Sequence, residues 1–177
     1  MKWFYQAVVL TIFFSGILLF SGVQPQTNSV VPHVVIFDIH GVLADPHNKL
    51  IPEGALLLQK CAQAGHTIMI LSNGNRSTIG HLFLKYYHEI IRYIKPEHIL
   101  VAGVTKKVKP ANDAYQHALN LIAQDPVHAG KKPKVVFIDD IKTNVDAACK
   151  NGIYGLHLTN HDYVAIERQL QLLKILT

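Results

Sequence analysis

HVVIFDIHGVLAD, residues 33–45, is the stretch whose reading decides the fold. HVVIF (33–37) is a short, continuous, β-branched apolar run, the pattern of a strand buried on both faces. It stops abruptly at Asp38, and Gly41 follows within a turn. Working outward, EGALLLQKCAQA (53–64) predicts a helix closed by Gly65, and HTIMIL (66–71) a second buried strand ending at Ser72-Asn73-Gly74-Asn75. Residues 76–94 carry helical apolar spacing at Ile79, Leu82, Phe83 and Tyr86, broken before Pro96. HILVAG (98–103) predicts a third strand, ANDAYQHALNLIAQ (111–124) an amphipathic helix, and KVVFI (134–138) a fourth strand ending at Asp139-Asp140. TNVDAACKN (143–151), IYGLHL (153–158) and DYVAIERQLQLLKIL (162–176) complete the series as helix, strand and helix.

Strands alternating with helices at this spacing imply a parallel sheet with helices on both faces, a three-layer α/β/α Rossmannoid domain over residues 33–177. The segment before it is different in kind. After Met1-Lys2, residues 3–22 read WFYQAVVLTIFFSGILLFSG without a single charge. That length suits either a membrane-spanning anchor or an exported signal segment, and its length favours the uncleaved anchor. Residues 1–22 are therefore expected to be a transmembrane or signal helix that contacts the membrane through 3–20, and the polar 23–32 a linker. If Lys2 stays in the cytoplasm, the folded domain is exported, membrane-anchored on the other side.

Composition excludes several classes. Hydrophobic residues at 49% against 16% charged exclude a largely disordered chain. The formal charge of +5 biases the surface towards anions, yet no Lys/Arg run marks a nucleic-acid footprint. Cys61 and Cys149 read as two buried helix thiols, too few for a disulfide framework. The eleven histidines are scattered along the chain, and with so few cysteines nothing clusters into a zinc site.

In such a sheet, ligands bind beyond the carboxyl ends of the strands. Asp38, Ser72, Lys109, and the pair Asp139 and Asp140 all follow strand ends. Each alone has a bland explanation, because a Ser-Asn-Gly turn is usually just a turn. Together they are groups suited to phosphate and Mg²⁺ at four independent strand ends.

FDIHGVLAD (37–45), ILSNGN (70–75), VKP (108–110) and FIDDIKTN (137–144), in this order, resemble the haloacid dehalogenase superfamily of hydrolases over residues 33 to about 172. The resemblance implies a phosphohydrolase in which Asp38 is the nucleophile and forms an aspartyl-phosphate. It implies that Ser72 and the Asn73 backbone N–H hold phosphate oxygens, and that Lys109 offsets charge between Asp38 and the phosphoryl group. It also implies Mg²⁺ held by Asp38, the carbonyl of His40 and Asp140, with Asp139 binding directly or through water. Phosphoacceptor receiver domains use similar groups, but there the acidic pair comes first in the chain; here the lone Asp38 comes first and the pair last.

Two departures matter. Phosphatases of the superfamily resemble DxDG at the first motif, with the second Asp as general acid and base; this chain reads Asp38-Ile39-His40-Gly41. An imidazole can donate and accept a proton near neutral pH, so His40 can serve both steps. Members with other residues at this position include enzymes that cleave C–P or C–halogen bonds. The alternative is a domain that binds phosphorylated ligands with little turnover. Secondly, only PHNKLIP separates Asp45 from Glu53, which leaves no room for a cap domain there. A capless site suits a bulky phosphorylated substrate, such as a phosphoprotein or lipid-linked phosphate, or closure by another subunit of an oligomer. Asn144 is either a site-orienting group or an ordinary residue of a first helical turn, Asp45 reads as a turn starter, and Tyr86-Tyr87 as helix packing.

Overall fold

The computed structural model describes residues 32–177; the expected anchor or signal segment 1–22 and nearly all of the linker lie outside the described residues. Among the described residues no helix is long and apolar enough to cross a membrane. Five parallel strands form one sheet: β1 (Val34–Phe37), β2 (Thr67–Ser72), β3 (Ile94–Val101), β4 (Val135–Asp139) and β5 (Tyr154–His157), in the order β3-β2-β1-β4-β5. The helices are α1 (Pro52–Gln63), α2 (Arg76–Lys85), the single-turn α3 (Ala102–Thr105), α4 (Asn112–Gln124), α5 (Lys142–Lys150) and α6 (Tyr163–Leu172).

The two faces follow from the period of two along a strand. Val35 and Phe37 of β1, with Ile68 and Ile70 of β2, point into one core that holds Leu57 and Leu58 of α1, Leu82 of α2 and Ile166 and Leu170 of α6. Val34, Ile36, Met69 and Leu71 point the other way, onto Ala114, Tyr115, Ala118 and Ile122 of α4 and Ala148 of α5. Central strands covered twice need apolar residues at every position, which is why β1 reads as an unbroken run.

The third strand departs from expectation. It starts at Ile94 rather than His98 and ends at Val101, with Ala102 and Gly103 entering α3. The register jumps from Ile68↔Ile94 to Ile70↔Ile99, so residues 95–98, Pro96 among them, make an irregularity on an edge strand. Proline is tolerated there because an edge or bulged residue need not donate to a ladder. The expected helix over 76–94 is correspondingly shorter, stopping at Lys85 before a turn and a 3₁₀ segment, Ile91–Tyr93. The closing helix ends at Leu172 rather than residue 176, with Lys174 in the left-handed region.

Two smaller expectations also change. Cys61 is buried, and burial pushes its thiol up to about 12, but Cys149 is exposed. Tyr86 packs against the core, whereas Tyr87 is exposed.

Candidate active site

The strand order reverses between β1 and β4, the two neighbours at the centre of the sheet. The crevice at such a switch point opens past the carboxyl ends of both strands. Phe37 pairs with Ile138, so the next residues, Asp38 and Asp139, emerge side by side. On the other flank Phe37 pairs with Ile70, and Ser72 lies two residues further up β2. Lys109 arrives from the loop before α4. Asp38, His40, Ser72, Asn73, Lys109 and Asp140 thus border one open cleft of about 470 Å³, with Gly41, Pro46, Gly74, Ile141 and Asn144. Asp139 lies beneath this cleft, fully buried.

Lys109 sits between two carboxylates, its Nζ 3.0 Å from Asp38 Oδ1 and 2.6 Å from Asp139 Oδ2. It is itself buried, and its Nζ is 5.0 Å from the centre of the Phe137 ring, a cation–π contact. Burial pushes the Asp38 carboxyl above the ordinary carboxylate range; the Lys109 ammonium opposes this and the Asp139 carboxylate adds to it. Asp140 is shifted the same way, by partial burial and then by Asp139.

Asp139 is saturated by the protein. Its Oδ1 accepts from the Ile141 N–H at 2.7 Å, and the buried Asn144 amide donates to Oδ1 and Oδ2 at 3.2 and 3.1 Å. Tyr115 from α4 fixes α5 in turn, its hydroxyl donating to the Asn144 carbonyl at 2.8 Å. Asp140 is exposed towards the cleft, and Gly41 makes room for it: a Cβ at residue 41 would run into the Asp140 carboxylate.

Carboxylate oxygens of Asp38, Asp139 and Asp140 lie within 4.8 Å of one another, an acidic cluster that could hold a metal ion. An all-oxygen donor set of this kind fits a hard divalent cation better than zinc. Asp38 Oδ1 is buried and has the Lys109 ammonium 3.0 Å away as its charged partner.

Several contacts could not be read from the chain. Asn73, singled out for its backbone N–H, also uses its side chain: the carboxamide brackets the Lys109 backbone with two hydrogen bonds of 2.8 Å. Ser72 Oγ accepts from the Gly74 N–H at 3.3 Å. His40 Nε2 is 3.0 Å from Asn48 Oδ1. Tyr115 and Asn48 carried no signal in the sequence beyond their residue types; Asn144 carried one in its place after Asp139-Asp140. The histidines are less scattered than they read. His33 stacks on His66 at 5.4 Å, and His128 Nε2 is 3.0 Å from Thr67 Oγ1, all at the amino ends of the central strands, opposite the cleft.

The sequence profile of the haloacid dehalogenase-like hydrolase family matches residues 27–152, and the chain belongs to that family of hydrolases. Among solved structures, an uncharacterized protein from Corynebacterium glutamicum superposes with a TM-score of 0.57 at 23% identity, over 82% of this chain and 96% of that one. A dehalogenase gives 0.60 at 16% identity over 74% and 86%, and a candidate phosphatase from Clostridium difficile 0.51 at 16% over 73% and 88%. At such identities these likenesses speak for the fold. No curated protein matches the sequence significantly. Consistent with a capless architecture, the described residues hold no folded unit inserted after β1 or between β2 and β4 beyond the core crossovers.

Proposed function

We propose that this chain is a Mg²⁺-dependent phosphatase that hydrolyses a bulky phosphomonoester through an aspartyl-phosphate on Asp38. The observation that carries the reading is the convergence of Asp38, Lys109, Ser72 and Asp140 on one open cleft. Mg²⁺, held by Asp38, Asp140 and the His40 carbonyl, would offset the charge of the phosphoryl group. Because Asp139 already accepts bonds from Lys109, Asn144 and Ile141, it contributes charge at the metal site, through water at most.

The protein's own groups do the rest. Attack by Asp38 on a phosphate dianion brings like charges together, and the Lys109 ammonium, already 3.0 Å from Asp38, reduces that repulsion. The Ser72 hydroxyl and the Asn73 N–H donate to non-bridging phosphoryl oxygens. His40 gives a proton to the departing oxygen as the P–O bond breaks. It then takes one from the water that attacks phosphorus and releases Asp38.

An open cleft suits a substrate whose bulk stays outside: a phosphoprotein, or a phosphorylated group at a membrane surface. The second suits the apolar segment 1–22, read as an anchor or export signal ahead of the linker; cell fractionation tests that part of the proposal. A second reading rests on His40 in place of the usual acid: a domain that binds phosphorylated ligands with little turnover.

The deciding experiment is phosphomonoester turnover by the full-length chain with Mg²⁺ and with EDTA, alongside Asp38→Asn and His40→Asp. Turnover that needs Mg²⁺ and disappears in Asp38→Asn supports the phosphatase. A silent parent with an active His40→Asp variant supports the binding domain. Full activity in EDTA or in Asp38→Asn overturns the proposed chemistry.

A further inference from the structure

Residues 40–50, between β1 and α1, fold into a compact flap beside the cleft. Bridges join His40 to Ala44 and Ala44 to Leu50. The Gly41 N–H donates to the Ala44 carbonyl at 2.8 Å and the Ile51 N–H to the Leu43 carbonyl at 2.9 Å. Asp45 ties the tip together, its Oδ1 accepting from the N–H groups of His47 and Lys49, both at 2.8 Å. The Asn48 N–H closes the same turn onto the Asp45 carbonyl at 3.0 Å.

Within this turn Asn48 has a φ of 60°, in the left-handed region that Asn, Asp and Gly enter readily. Its Oδ1 lies 3.0 Å from His40 Nε2. A carboxamide oxygen only accepts, so this bond requires the proton of a neutral ring to be on Nε2 and leaves Nδ1 as the basic nitrogen. An aspartate in the place of His40 would need no such support, because its two oxygens are equivalent. An imidazole has two inequivalent nitrogens and a ring that can turn over, so its usefulness depends on what holds the far nitrogen.

We infer that Asn48 is a positioning residue: its carboxamide oxygen fixes the orientation and tautomer of His40, so that protons pass through His40 Nδ1. The inference rests on the phosphatase reading above. In the first step an Asp38 oxygen bonds to phosphorus, the bond from phosphorus to the leaving oxygen breaks, and that oxygen takes the proton from Nδ1. In the second, water attacks phosphorus, its proton goes to Nδ1, and the Asp38–phosphorus bond breaks to return the carboxylate and free phosphate. Throughout, Nε2–H stays on Asn48. Asp45 supports the arrangement at one remove, by holding the turn that presents Asn48.

Two variants separate side chain from backbone. Asn48→Gly keeps the left-handed backbone and removes the acceptor, whereas Asn48→Asp keeps both. The full-length variants are assayed with p-nitrophenyl phosphate, whose leaving group needs no acid, and with n-butyl phosphate, whose leaving group does. In Asn48→Gly, kcat for n-butyl phosphate should fall about tenfold or more, with p-nitrophenyl phosphate falling less than about threefold. KM should stay constant, and Asn48→Asp should restore the butyl ester rate.

Imidazole ¹⁵N spectra give a readout independent of turnover. The His40 signals, identified by their loss in His40→Gln, should show a protonated Nε2 in the parent and mixed tautomers in Asn48→Gly. Equal losses with both esters, a protonated Nδ1 in the neutral parent ring, or spectra unmoved by Asn48→Gly would each overturn the inference. A parent that turns over neither ester counts against the phosphatase reading, and the ¹⁵N spectra then decide on their own whether Asn48 places the His40 proton. In a parent active through Asp38, the Asn48 comparison and the spectra judge the inference together.

Discussion

Asn73 and Lys109 hold each other reciprocally: the Asn73 carboxamide donates to the Lys109 carbonyl and accepts from the Lys109 N–H, each at 2.8 Å. The two residues are 36 positions apart, one after β2 and one before α4. This pair sets where the Lys109 stem begins, and so where its ammonium arrives. Asn73→Ala should lower stability by about 1–3 kcal/mol, because the Lys109 backbone groups lose their partners. It should also reduce turnover with Lys109 still in place. Urea unfolding and steady-state kinetics on the same preparation check both effects, and Asn73→Asp, which keeps only the acceptor, should fall between.

Lys109 itself is the only cation among the described residues within salt-bridge distance of Asp38 or Asp139. Its replacement by methionine leaves two buried carboxylates facing each other without compensation. Lys109→Met should therefore cost about 3–5 kcal/mol of stability as well as abolishing turnover. Adding Asp139→Asn to that variant should recover stability but not activity, which denaturant midpoints would show. A single variant as stable as the parent would mean that the site opens to water far more than its burial implies.

Gly41 has a φ of 82° and faces the Asp140 carboxylate where a Cβ would have to go. Gly41→Ala should lose about 1–3 kcal/mol from left-handed backbone strain alone. The displaced Asp140 should in addition weaken Mg²⁺ binding, measured by calorimetry. Gly65, also at positive φ but with open space around its Cβ position, is the control: Gly65→Ala should cost stability and leave metal binding unchanged.

The histidines at the far end of the sheet predict an acid-sensitive stability. Burial lowers the pKa of His98 below 6.5, against the pull of Asp125, and also lowers that of His128. A group whose folded pKa is depressed takes up protons more readily when unfolded. Stability is lost as pH falls below the unfolded value near 6.5 and towards the folded values. Asp38 and Asp140, pushed up by burial, act in the opposite sense, so the comparison is made within one background. The stability difference between the parent and His98→Gln/His128→Gln should shrink as pH drops from 7.5 to 5.5. A difference independent of pH would remove these two residues as the cause.

The chain by itself determined the sheet. Val34 to Phe37 can only be a strand covered on both faces, and the same apolar economy in β2 and β4 leaves the first polar residue after each as a marker of the strand end. Asp38, Ser72, Asp139 and Asp140 were legible for that reason, and Lys109 through the motif around it. Where an element's limits depend on its neighbours, the sequence was silent. Pro96 reads as a helix stop before a later strand, but it lies within β3, and what permits it is the place of β3 at the sheet edge. Cys149 has the same helical, alanine-flanked surroundings as Cys61, and only the way α5 lies on the sheet exposes it. The division of labour in the acidic pair likewise needed three dimensions. Asn144, Ile141 and Lys109 occupy the oxygens of Asp139, and Gly41 leaves space for Asp140. Periodicity and strand ends are properties of the local chain, and they are written in it. Which carboxylate is buried, which amide brackets Lys109 and which oxygen holds His40 are set by backbone direction and distance between separate segments, and those exist only once the sheet has closed.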